Sequence, residues 1–71
     1  MKGFPDIGGI LQKAHPGRFF AVELKTAKNN LTPDQIIWRN KILASGAAYA
    51  VVRSLDELIN FLSELGEIES R

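Results

Sequence analysis

Asp6 and the stretch Val22-Glu23-Leu24-Lys25 contain the residue types that metal-assisted hydrolysis of a phosphodiester needs. Two carboxylates and one backbone carbonyl, completed by waters, make the hard-oxygen surroundings that Mg²⁺ or Mn²⁺ prefers. A lysine beside such an ion adds positive charge where the reacting phosphate gains negative charge, while the ion acidifies a bound water. Sixteen residues separate Asp6 from Glu23, so the chemistry depends on folding to bring them together. Each piece alone is ordinary. Pro5-Asp6 is a favoured turn pair, and a Glu-x-Lys at a strand end is commonly a solvated ion pair.

Three strands are legible from residue type. Residues 18–25 and 47–53 are rich in aromatic and β-branched side chains, and residues 7–11 form a weaker run diluted by Gly8 and Gly9. Lys13-Ala14-His15-Pro16-Gly17 is a turn, which makes the first two strands an antiparallel hairpin. In such a hairpin the first residue of one strand lies beside the last residues of the other, so Asp6 comes next to Glu23. Alternation then puts Glu23 and Lys25 on one face, turns Leu24 to the opposite face and leaves the Leu24 carbonyl at the same edge.

Two capping boxes frame the helices. In Thr32-Pro33-Asp34-Gln35 and Ser54-Leu55-Asp56-Glu57 a hydroxyl accepts from the N–H three residues on, and the Gln or Glu there reaches back. The first predicts a helix over about 33–45, with Pro33 in the first position, Ile36, Ile37, Leu43 and Ala44 on one face, and Gly46 as its stop. The second predicts a helix with a stripe of Leu55, Leu58, Ile59, Leu62 and Leu65, closed by Gly66. The order β-β-α-β-α makes the first helix a right-handed crossover between parallel strands. The fold expected is α/β, a mixed three-stranded sheet flanked by helices.

Composition narrows the classes further. A chain of 71 residues is one domain, and 45% hydrophobic with 24% charged residues is the balance of a folding chain, not a disordered one. The absence of cysteine and the single histidine exclude a disulfide framework, thiolate zinc and cysteine nucleophiles. No apolar run approaches the roughly 20 residues of a membrane span, and the first residues lack the core of a signal peptide. The expected setting is intracellular, such as a phage or bacterial cytoplasm. Charge is uneven: residues 1–53 carry a net +5 and residues 54–71 a net −4, so a polyanion fits one side only. Lys2, Lys28 and Lys41 are candidates for a phosphate track, His15 for a solvated loop residue, and Trp38 and Tyr49 for core or dimer contacts.

Four segments occur together in a telling order: Gly3-Phe4-Pro5-Asp6; Gly17-Arg18-Phe19 leading into Val22-Glu23-Leu24-Lys25-Thr26; Leu31-Thr32-Pro33-Asp34-Gln35; and Gly46-Ala47-Ala48-Tyr49-Ala50-Val51-Val52-Arg53-Ser54. Over nearly the whole chain this resembles the virus-type replication-repair nuclease (VRR-NUC) domain of the PD-(D/E)XK nuclease superfamily. The resemblance implies a minimal PD-(D/E)XK, restriction-endonuclease-like core. It makes Asp6 and Glu23 metal-binding carboxylates, Leu24 a ligand through its carbonyl, Lys25 the catalytic lysine and Gln35 an additional active-site glutamine. Gln35 is also the third position of a capping box, where glutamine is expected anyway. Such domains normally begin with a helix and a strand before the Pro-Asp motif, whereas five residues precede Asp6 here. The implied activity is a Mg²⁺- or Mn²⁺-dependent DNA endonuclease acting on branched, Holliday-junction-like DNA as a homodimer. The competing class is a non-catalytic nucleic-acid-binding or dimerisation module on the same fold.

Overall fold

The computed structural model describes residues 2–26 and 29–69. Ile7–Ile10 (β1) and Phe19–Leu24 (β2) pair antiparallel, with Ile7 opposite Val22 and Ile10 opposite Phe19. The turn is closed by backbone bonds from Leu11 N to Arg18 O at 2.8 Å and from Gly17 N to Leu11 O at 2.9 Å, around a fully buried Leu11 side chain. The two glycines that weaken β1 on paper have a packing cause: the Phe19 and Phe20 rings lie over them. A Cβ at Gly8 would meet Phe19 at 3.1 Å and one at Gly9 would meet Phe20 at 2.9 Å.

Pro33–Ala44 (α1) follows, then Ala48–Val52 (β3), which runs parallel to β2 with Phe20 opposite Ala48 and Leu24 opposite Val52. Leu55–Glu64 (α2) ends the order β-β-α-β-α. The sheet order β1-β2-β3 puts β2 in the centre, and the fold is the expected α/β layout with a mixed sheet. Among the described residues no helix is long and apolar enough to cross a membrane.

Helix starts follow their caps. Thr32 and Gln35 complete the first capping box, and α1 stops at Ser45, after which Gly46 takes a φ of +88° that other residues rarely adopt. At α2 only half of the expected box forms. The Ser54 hydroxyl accepts from Glu57 N, while the Glu57 carboxylate accepts from Arg53 N at 2.7 Å.

The faces of the helices depart further from expectation. Ala21, Ile42 and Ala47 form a buried cluster with Phe19 and Tyr49 packed on it, so Ile42 is the residue α1 buries. Ile36, Ile37 and Leu43 remain 37%, 51% and 51% exposed. Ile42 meets the sheet through Ala21 and Ala47, and four residues earlier on the same side of the helix Trp38 packs T-shaped with Phe4, ring centroids 5.0 Å apart. The Trp38 and Ile42 arc therefore turns inward and the isoleucine-leucine arc outward. In α2, Leu55 is 69% exposed and no residue is fully buried, although Leu58, Ile59, Leu62 and Leu65 are partly covered as the stripe predicts.

Candidate active site

The site is built where β1 begins and β2 ends. Continuing the β1–β2 register by one residue places Asp6 opposite Glu23, as hairpin geometry requires. Leu24 N donates to Asp6 Oδ2 at 2.9 Å, and the two carboxyls share a hydrogen bond. Asp6 is exposed, whereas Glu23 retains only 2% of its surface.

That asymmetry sets the proton. Burial, then the hydrogen bond and the negative charge from Asp6, push the Glu23 carboxyl up to about 7, with Lys25 opposing. Asp6 is held below the usual carboxylate range by the Glu23 hydrogen bond and the Leu24 N–H, helped by Lys25 and opposed by desolvation. At mildly acid pH the pair therefore holds one proton, carried mainly by Glu23. Glu23 Oε1 is buried with no hydrogen-bond partner among the described residues.

Lys25 stands on the Glu23 side by strand alternation, half-buried. Its N–H donates to Val52 O at 3.0 Å, so pairing with β3 continues one residue past β2. Tyr49 pairs with Ala21 and shares that face. Its hydroxyl is the other buried oxygen without a partner among the described residues, and desolvation followed by the Glu23 charge raises its pKa, with Arg39 opposing. From sequence alone Tyr49 reads as a core or dimer contact, and nothing singles out Arg39. The signal was present in the parallel register, which carries Tyr49 to within two positions of Glu23 on the same face.

Asp6 owes its position to the segment before it, which is pinned to α1. Trp38 Nε1 donates to Lys2 O at 3.1 Å, and Lys2 Nζ lies 3.6 Å from Asp34 Oδ2. Gly3, at a φ of +83°, comes so close to the start of α1 that a Cβ there would fall 2.6 Å from the Asp34 carbonyl carbon. Pro5 is buried immediately before Asp6.

The remaining candidates are less concentrated. The Gln35 amide oxygen accepts from Thr32 N at 2.9 Å, which commits it to the helix cap. Lys41 Nζ lies 5.1 Å from the Trp38 ring centroid, so Lys2 and Lys41 gather around Trp38. Lys28 lies outside the described residues. Leu24 enters the site through its N–H, and its side chain is 49% exposed on the opposite face.

Among the described residues no three acidic or imidazole groups converge as a ready-made metal cluster. The residues present nevertheless fit Mg²⁺ or Mn²⁺. Two paired carboxylates are the sparse protein contribution that a largely hydrated Mg²⁺ takes, and the unsatisfied Glu23 Oε1 is an acceptor for a cation or its water. A second hollow of about 310 Å³, between β3 and α2, is bordered by Glu57, Asn60 and Glu64 and shares no residue with the acid pair. Compared with family models, curated proteins and solved structures, the chain matches none of them.

Proposed function

We propose that the chain is a divalent-metal-dependent DNA endonuclease that hydrolyses phosphodiester bonds, acting on branched, Holliday-junction-like DNA. The observation that carries this reading is the buried Glu23 held against Asp6 with one oxygen unsatisfied, beside Lys25 on the same face. Asp6, Glu23 and the Leu24 carbonyl would hold Mg²⁺ or Mn²⁺. When bound, the ion supplies Lewis-acid polarisation of the phosphate and a water of lowered pKa.

The chain's own groups do the rest. Glu23 must release its proton to serve as a ligand, which links activity to pH. Lys25 offsets the charge that develops on the phosphate, and the polar environment is organised before the reaction by the β2–β3 pairing at Lys25 N. Gln35 contributes through its amide nitrogen, because its oxygen is engaged in the cap. Lys2 and Lys41, with Lys28, contact flanking phosphates. A second copy would cover exposed Ile36, Ile37 and Leu43, which supports a homodimer with paired sites. A cysteine-free chain suits a reducing intracellular setting.

The test is cleavage of labelled branched and linear DNA with Mg²⁺ or Mn²⁺ by the parent chain, Glu23→Ala and Lys25→Ala. The expected result is branched-DNA cleavage that falls about a hundredfold or more in either variant. Equal cleavage by all three overturns the assignment. Among the described residues no third acidic group joins the pair, which favours the second reading, a module that binds nucleic acid without turnover. DNA binding that is indifferent to metal, with no cleavage, would establish that module instead.

A further inference from the structure

Beyond the acid pair, on the sheet face that carries Leu24 and Val52, lies a hollow of about 290 Å³. Leu24, Val52, Leu55 and Leu58 wall it, and its charged lining residues, Lys25 and Arg53, are both cationic. Leu24 and Leu55 leave 49% and 69% of their surface exposed there, a large apolar display for so small a chain. The volume sits at the small end for a ligand site, with room for one flat ring system and little more. Lys25 belongs to both places: its charge acts on Asp6 and Glu23 on one face of the sheet, and the residue also borders the hollow at the end of β2.

We propose that this hollow receives a single unstacked nucleobase of the DNA strand whose phosphate lies at Lys25. The inference rests on the nuclease reading of the acid pair and adds a source for its structure selectivity. A base inside a duplex must give up pairing and stacking to enter, and that cost is least at junctions, flaps and single strands. Apolar walls cover the faces of the base in a sequence-tolerant way, while Lys25 and Arg53 meet the phosphates beside it. Charge complementarity favours a polyanion at this rim, since both charged residues that border it, Lys25 and Arg53, are basic.

The experiment titrates the full chain, in EDTA, with the single strand dT4 and with a tetramer of equal charge whose bases are all absent, following the methyl NMR signals of Leu24, Leu55 and Leu58. We expect ring-current shifts of these methyls with dT4 and an affinity at least tenfold lower for the abasic tetramer. Leu55→Gln, at an exposed position, loses that preference, while Leu55→Met keeps it. Equal affinity for the two tetramers overturns the proposal, as do shifts confined to Lys25. Methyl shifts that follow protein concentration alone also overturn it, because they report a second copy in the hollow. Cleavage of branched DNA is scored separately: base-dependent binding without cleavage sinks the nuclease reading and keeps the hollow. Cleavage with no preference for the base does the reverse.

Discussion

Two glutamates, one at each end of the β1–β2 hairpin, are treated in opposite ways. Near the turn, Glu67 is saturated: Oε1 accepts from Gln12 N at 2.9 Å and Lys13 N at 3.1 Å, and Oε2 accepts from Gln12 N at 3.2 Å. At the other end Glu23 is buried, and Oε1 receives nothing from the described residues. The first arrangement ties the segment after α2 to the hairpin. The second costs stability, because a buried acceptor without a donor forfeits its hydration, and such costs persist where function needs the group. A carboxylate that holds the fold is surrounded by donors, and the proposed ligand of a cation is left short of them.

The largest test of this contrast removes each charge in turn. Glu23→Gln loses DNA cleavage about a hundredfold or more, yet at pH 8 it gains about 2–3 kcal/mol in urea unfolding, because the parent's raised carboxyl must there be buried ionised. Glu67→Ala loses about 1–3 kcal/mol with its backbone bonds and keeps its cleavage. Stability changes of the same sign in both variants would break the contrast.

Acidity sharpens it. The folded carboxyl of Glu23 titrates at about 7 against 4.5 for a free glutamate, so the folded state holds a proton that the unfolded chain has released. The contribution is fully present below about 4.5, declines as pH rises and is lost above about 7, a span of about 3 kcal/mol. Asp6, with its pKa lowered from 3.8, contributes in the opposite sense, and its share is lost as pH falls below that value. Urea midpoints of the parent therefore peak in mild acid, and Glu23→Gln flattens the decline toward pH 8. Level midpoints for the parent between pH 5 and pH 8 would remove the basis for the contrast.

The proposed metal site would read the same proton. Mn²⁺ affinity is expected to rise about tenfold per pH unit below 7 and to flatten above it, with about one proton released per ion in calorimetry across buffers. An affinity independent of pH would place the ion elsewhere.

The smallest effect concerns Gln35. Gln35→Glu keeps the capping box and changes stability by less than about 0.5 kcal/mol, whereas Gln35→Ala costs about 1 kcal/mol. Cleavage is expected to fall about tenfold in Gln35→Glu, since the amide nitrogen is gone. Unchanged cleavage would assign the residue wholly to the cap.

Much of this architecture is legible in the sequence because local rules act where the chemistry lies. The Pro16-Gly17 turn and strand alternation suffice to bring Asp6 to Glu23, and Thr32 with Gln35 announces the start of α1. What local rules omit is which apolar arc of a helix is covered. α1 carries two, and the Ile42 arc is the one covered because it meets Ala21 and Ala47, with Phe19 and Tyr49 beside them, a tertiary contact that no helical period announces. The same limit hides Glu67, whose partners lie more than fifty residues away; Glu57 departs locally, its carboxylate going to Arg53 N instead of back to Ser54. Leu55 reads as part of a stripe, but at the first position of α2 it projects beside the strand ends and joins the hollow.

The attachment of residues 2–5 to the head of α1 gives the acid pair an unequal inheritance. Glu23 is carried by the central strand, while Asp6 is suspended from a helix start that a glycine with no side chain allows to come near. Fraying of that first helical turn would let Asp6 swing away with the hairpin still zipped. On gentle warming the chain would therefore part its two acids before it stops being a sheet.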